Sequence, residues 1–261
     1  MNKPVWSVVA GIAAVAALGA VAVPGSAQTA EVKEKPRLYT YESFWVFPRA
    51  RWGDVGKDNA GSTQKILAPA LADGTVVGFG DDETLVHSAE GYTHDNWWQA
   101  TSMAGLMKVL DAFYKGGTAT NALILSSTKH WDEVYVSRFY NWHPGSWKGA
   151  YGHASSYKLK PDAPNNAVET LSKSLFVPLL EKLLADGTII EYEIDEQTIH
   201  TQSPDLFFIY YLAPNAEGLD KVNAAVGEAV RSNPLSGPAF NAMVDFTPHR
   251  DQLLRADATY K

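Results

Sequence analysis

Apolar positions along this chain switch between two periods, and they do so twice in the same order. From Ala167 to Ala185, the residues Val168, Leu171, Leu175, Leu179 and Leu183 recur at helical spacing. Pro178 predicts a kink or restart within that helix. Gly187 suits the left-handed residue just past a helix end. Ile190, Tyr192 and Ile194 then alternate with Glu191, Glu193 and Asp195, the pattern of a half-buried strand. Leu206 to Leu212 is continuously apolar and predicts a strand covered on both faces. Leu219, Val222, Val226 and Val230 share one face of a second helix. Ala154 to Leu159 before the first helix, and Phe240 to Phe246 at the end, complete the order β-α-β-β-α-β.

The first half follows the same order. Strands are expected at Glu42–Phe47, Thr75–His87, Trp97–Thr101 and Ala122–Ser126, with one helix ending near Ala72 and another over Ala104–Tyr114. The two halves also match residue by residue. Leu71-Ala72-Asp73-Gly74-Thr75 returns as Leu184-Ala185-Asp186-Gly187-Thr188, an offset of 113 residues. Asp82-Glu83 and His87 return at that offset as Asp195-Glu196 and His200, Pro48 as Pro161, and Leu67 as Leu180. A repeat this long is a duplicated domain rather than a solenoid. The expected division is 38–128 for the first repeat, 129–151 for an aromatic-rich connector and 152–261 for the second repeat.

The order β-α-β-β-α-β is the split βαβ, or ferredoxin-like, unit. The expected fold is therefore α+β: two tandem ferredoxin-like repeats packed as a pseudo-two-fold α/β barrel, each sheet covering what the other leaves open. In element order and duplication the chain resembles the dimeric α/β-barrel superfamily, in a fused form. That superfamily includes the antibiotic-biosynthesis monooxygenase and EthD-like families. The resemblance covers nearly all of the chain after its first segment, but no catalytic motif carries it. Because each copy covers the sheet face the other leaves open, a monomer with an internal pseudo-dimer is expected. For function the resemblance implies an enzyme that works without a bound cofactor, using Asn, Trp, Tyr or His beside an aromatic substrate.

Composition adds the compartment. Lys3 followed by the apolar run Ser7–Val23 and by Gly25-Ser26-Ala27 has the form of a secretory signal over residues 1–27, with mature protein beginning at Gln28. A periplasmic or secreted protein is expected, without a membrane span after cleavage. The chain has no cysteine, so disulfides and thiolate metal sites are excluded. A net charge of −7 with no basic stripe argues against nucleic acid as a partner. Seven histidines are present without His-x-x-x-His spacing, so no metal site and no cofactor are expected.

Three groups of residues could carry chemistry. His87 and His200 occupy matched places past the second strand of each repeat, as bases or ligands or as strand-end caps. His130-x-Asp132 and His249-x-Asp251 are also matched, and either cap a short helix or hold an imidazole through its carboxylate. The tryptophans are lopsided: Trp45, Trp52, Trp97, Trp98, Trp131, Trp142 and Trp147 all precede the second repeat. Trp97 and Trp98 align with Phe207 and Phe208, plain core residues of the second copy. The segment around His94, Asn96, Trp97 and Trp98 thus has the aromatic walls and few polar groups of a small-molecule pocket, or else packs the connector. Trp45 and His200 complete the expected ligand-binding set, and His87 and His94 are the candidate bases.

Three functions fit these residues. The first is binding of a small apolar or aromatic molecule in the first repeat. The second is a cofactor-independent monooxygenase or EthD-like enzyme. The third is a non-catalytic structural or partner-binding protein. A cavity beside Trp97 and His87 is the feature that separates them.

Overall fold

The duplication is realised element by element. A computed structural model describes residues 32–234 and 236–261; the signal expected over residues 1–27 lies outside them. In the first repeat β1 (Leu38–Val46) leads into α1 (Trp52–Asp58) and α2 (Gln64–Ala72). There follow β2 (Gly78–Thr84), β3 (His94–Ala100), α3 (Met103–Lys115) and β4 (Lys129–Trp142). A two-residue strand β5 (Ser146–Trp147) precedes the second repeat: β6 (Tyr151–Leu159), α4 (Ala167–Leu171), α5 (Val177–Ala185), β7 (Glu191–Ile199), β8 (Leu206–Ala213), α6 (Ala216–Ser232), α7 (Ser236–Met243) and β9 (Val244–Tyr260).

Both first helices are broken at the same place by a π turn, Asn59–Thr63 in one repeat and Ser172–Phe176 in the other. Both then end on the matched Asp-Gly-Thr. Gly74 and Gly187 take φ of 74° and 75°, and the preceding aspartates accept from Thr75 N and Thr188 N at 2.9 and 3.0 Å. Ser102 and Asn215 cap α3 and α6 by accepting from Gly105 N and Gly218 N. A Cβ on either glycine would meet Thr75 O or Thr188 O at 2.8 Å, so helix and turn approach closely only because these positions lack a side chain.

The strands join edge to edge in the order β2-β3-β1-β4-β7-β8-β6-β9, and β9 pairs back onto β2. All the ladders are antiparallel. Each repeat contributes a 2-3-1-4 sheet, and the fourth strand of each pairs with the second strand of the other. The result is a closed eight-stranded barrel with no free edge. Helices cover its outside in two clusters. One is built on Leu67, Phe79, Trp98, Leu106 and Phe113, the other on Leu171, Leu180, Tyr192, Phe207 and Phe240.

Three expectations are corrected. Ala122–Ser126 is not the fourth strand: 3-10 turns lie at Thr118–Thr120 and Ile124–Ser126, and the strand is β4. The supposed connector 129–151 therefore supplies a barrel stave, because β-branched and aromatic residues from Trp131 to Trp142 alternate inward and outward there. The last strand does not begin at Phe240, which lies in α7. Finally, the polar face of β7 is not on the outer surface. Glu191, Glu193 and Asp195 point into the barrel and are 1%, 3% and 7% exposed. Alternation alone does not distinguish a solvent face from the lining of a polar lumen.

Candidate functional site

On β1 the odd-numbered residues Tyr41, Ser43 and Trp45 face the helices, as do His94, Asn96 and Trp98 on β3. The register sets them side by side: Tyr41 opposite Trp98, Ser43 opposite Asn96, Trp45 opposite His94. On the other side of β1, Ser43 lies opposite Asp132 and Trp45 opposite His130. These side chains line a cavity of about 90 Å³ between sheet and helices, closed by Phe47, Val55, Phe113, Leu123 and Ile124. The π turn contributes Asn59 and Thr63, a frequent use of such turns at functional sites. Tyr114, 64% exposed, stands at the rim.

Hydrogen bonds fix most of the polar groups in the pocket. Trp45 Nε1 donates to Asn96 Oδ1 at 3.3 Å, and Ser43 Oγ donates to Asp132 Oδ1 at 2.6 Å. His130 Nε2 lies 3.0 Å from the same oxygen, and its ring stacks on Trp45 at 3.7 Å. Asp132 is partly buried, yet the bonds from His130 and Ser43 outweigh that burial and hold its carboxyl below the usual range.

His94 is placed differently. Thr93 Oγ1 gives its one proton to Trp45 O and accepts from Phe47 N. With the Thr93 proton on Trp45 O, His94 Nδ1, 3.1 Å from that hydroxyl, is the donor there. The Nε2 lone pair is left without a hydrogen-bond partner among the described residues. Burial pushes the pKa of His94 down to about 4, so the ring is a neutral acceptor at physiological pH. Phe47 and Trp52 present ring edges to it at 5.9 and 5.4 Å.

The second repeat has the same framework without the cavity. Ser155 donates to Asp251 at 2.7 Å, His249 Nε2 lies 3.2 Å from Asp251, and Tyr157 stacks on His249 at 4.5 Å. These residues are the counterparts of Ser43, Asp132, His130 and Trp45. The register of β6 with β8 shows what stands for the rest. Tyr211 replaces Trp98, Ile209 replaces Asn96 and Phe207 replaces His94. Phe240 from α7 closes the space against Tyr157, Phe176 and Phe246.

The structure thus brings together His94, Asn96, Trp98 and Trp45 from the expected set and separates the others. Trp97 points the opposite way, into the barrel lumen. Among the described residues Trp97 and His87 do not line one space together: the His87 ring stacks on Trp52 at 5.0 Å, away from the lumen that Trp97 faces. His200 lies just past β7, in a surface groove with Pro161, Pro164 and Asp205. The alignment of Trp97 and Trp98 with Phe207 and Phe208 is corrected to Tyr210 and Tyr211. The His-x-Asp pairs lie within strands and cap no helix. His130 and Asp132 belong to the pocket, and their matched spacing was the signal for it.

No family model matches the sequence, and no curated protein matches it. Solved structures do share its architecture. A monooxygenase-like protein from Lactobacillus acidophilus superposes with a TM-score of 0.55 at 10% identity, over 87% of this chain and 97% of that one. A monooxygenase-like protein from Fusobacterium nucleatum gives 0.53 at 6% identity, over 86% and 94%. An anthrone oxidase-like protein gives 0.50 at 12% identity, over 87% and 94%. Likeness at such identity is likeness of fold. The chain has the dimeric α/β-barrel fold, with both ferredoxin-like halves supplied by one polypeptide.

Proposed function

We propose that this protein binds a small aromatic molecule in the pocket of its first repeat. The observation that carries this reading is the register substitution. Where the second repeat is plugged by Phe207 and Ile209, the first has His94 and Asn96 around an open cavity. Trp45, Phe47 and Phe113 supply apolar walls, and His94 Nε2 is an acceptor aimed at no protein donor. The cavity of about 90 Å³ is smaller than the ~150 Å³ that holds a benzene ring. A ring therefore enters in part, with its outer edge at the rim beside Tyr114. A phenolic hydroxyl suits the site, since it donates to the unpaired imidazole nitrogen. Titrating the full chain with phenol and 1-naphthol, followed by tryptophan emission, tests this. Saturable binding should weaken at least tenfold in a His94→Phe, Asn96→Ile double variant. Equal affinity in that variant, or no saturation with either phenol, overturns the reading.

A second reading, turnover, is favoured by one feature. A neutral His94 with a free Nε2 can accept a hydrogen bond from a bound phenol and so raise the electron density of the ring that would react with dioxygen. The fold shared with monooxygenase-like proteins is compatible with it. Oxygen consumption with a hydroquinone, abolished in His94→Phe, supports an enzyme. Binding with no oxygen uptake leaves the ligand-binding reading alone.

A further inference from the structure

The barrel lumen is a second space, on the opposite face of the sheets from the pocket of the first repeat. It encloses about 380 Å³. Carboxylates crowd its wall, among them Glu42, Asp82, Glu133, Glu191, Glu193 and Asp195. Buried like charges at this density require neutralisation by cations or by protons.

Part of the compensation is built in. Glu133 accepts from Trp131 Nε1, Tyr135 OH, Gln197 Nε2 and Gln202 Nε2. Asp195 accepts from Ser137 Oγ. At the floor, the ammonium of Lys261 lies against Glu191 and Glu193, and it sits 4.7 Å from the ring centres of both Trp97 and Trp142. The other nearby cation, Arg250, is at the rim, where its guanidinium donates to His249 O.

Other carboxylate oxygens have no hydrogen-bond partner among the described residues, although Trp97 Nε1 donates to Asp82 Oδ2 at 3.0 Å. Glu42 makes no hydrogen bond among the described residues and faces the cavity. Asp82 Oδ1 and Glu191 Oε2 are buried without a hydrogen-bond partner, on side chains that are 2% and 1% exposed. Phe44, Tyr92, Trp97, Trp131 and Tyr210 supply aromatic wall around these oxygens. Trp97 can lie flat there because β2 carries Gly80 opposite it; a Cβ would be 2.6 Å from the indole. Above Lys261 the lumen thus repeats the surroundings of Lys261, carboxylate oxygens beside aromatic rings, without a resident cation.

We propose that the lumen binds an organic ammonium ion, a linear diamine or short polyamine. Its charged nitrogens meet Glu42 and Asp82 and its methylenes lie along the aromatic wall. No group of His, Asp or Glu among the described residues converges to hold a metal ion, so the oxygens are too dispersed for one small divalent cation. An ammonium with several donors on a flexible chain fits such dispersed acceptors. Entry is from the end bounded by Val86, Ser88 and Glu90 of the β2–β3 loop and by Gln202 of the β7–β8 loop. Burial, joined by repulsion from neighbouring acids, pushes the carboxyls of Glu42 and Asp195 well above their ordinary range. An entering cation takes the place of protons held there.

Calorimetric titration of the full chain with putrescine, spermidine, 1,4-butanediol and calcium chloride at constant ionic strength tests the proposal. One equivalent of an amine should saturate the protein while butanediol gives no heat. Glu42→Gln should weaken amine binding at least tenfold, and the His94→Phe, Asn96→Ile variant should bind amine like the wild type. In the wild type, the amine should shift the indole N–H resonance of Trp97 and leave that of Trp45 in place, a readout that needs no variant to fold. Absence of saturable amine binding, an unmoved Trp97 resonance, unchanged affinity in Glu42→Gln, or calcium binding as tightly as the amines would each overturn it.

Discussion

The helix-side spaces of the two repeats share a frame and differ in their filling. Each has a serine, an aspartate, a histidine and an aromatic ring in the same register, and each lies under a helix broken by the same π turn. In the second repeat Phe207 and Phe240 belong to the hydrophobic core and Ile209 packs against it. In the first, His94 and Asn96 take two of those places, and short 3-10 turns stand where α7 would bring the third. What the repeats share holds the barrel together, and what they do not share is where a ligand can sit. The difference is a matter of two strand residues and one helix, too small to disturb the common fold.

The sharpest way to break this comparison is truncation at the matched position. Phe207 is fully buried and stacks with Tyr157 at 5.4 Å. Phe207→Ala should cost about 3–5 kcal/mol, as large-to-small core changes do. His94 already borders a cavity, so His94→Ala should cost about 1 kcal/mol, near the middle of the range for point substitutions. Urea unfolding of both variants measures the pair. Equal losses would mean that the first repeat is packed as tightly as the second and that its cavity does not exist in solution.

The frame was legible in the sequence because it is periodic. Helical spacing from Val168 to Leu183 and the Asp-Gly-Thr turns at one offset gave the duplication and the element order. The site was legible only in part. His94, Asn96 and Trp98 alternate with Trp97, so strand parity puts the first three in the pocket and Trp97 in the lumen. The sequence offers no sign of which side faces which space, so Trp97 reads as a neighbour of residues it turns its back on. The lumen escaped for a related reason. Glu191, Glu193 and Asp195 have the alternation of a solvent-facing strand, and only closure of the barrel converts that face into an interior. The fourth strands were displaced because Ala122–Ser126 and Phe240–Phe246 have strand-like composition, while pairing partners across the barrel decide where the strands lie.

Acid sharpens the comparison at an intermediate scale. An unfolded histidine titrates near 6.5, whereas His94 in the folded chain titrates at about 4. Between those values the unfolded chain takes up a proton that the folded chain refuses, so stability falls as pH falls. The loss from pH 7 to pH 4.5 should be roughly 2–3 kcal/mol. His94→Phe, which installs the residue of the second repeat, should remove that part of the acid sensitivity. The buried lumen carboxyls titrate in both proteins and cancel in the difference. Identical pH profiles for wild type and His94→Phe, from urea midpoints across this range, would show that His94 is solvated and that the pocket gains no neutral base from burial.

The smallest expected effect concerns what the repeats share. Ser43 and Ser155 each join the first strand of a repeat to the fourth by donating to Asp132 or Asp251. His130 and His249 brace the same carboxylates. If the constellation is part of the frame, Ser43→Ala and Ser155→Ala should lose about the same stability, each about 1.5–2 kcal/mol, the low end for a hydrogen bond to a charged group. Neither should change phenol affinity by more than twofold, because Asp132 keeps His130 and the cavity keeps its walls. His249 offers a further check. The bond to Asp251 raises its pKa, while Nδ1 donates to Ser156 O at 2.8 Å, so it should remain an imidazolium to higher pH than a free histidine. Ser43→Ala that abolishes phenol binding at unchanged stability, beside a purely destabilising Ser155→Ala, would break the symmetry. It would move Ser43 and Asp132 from the frame of the barrel into the ligand site.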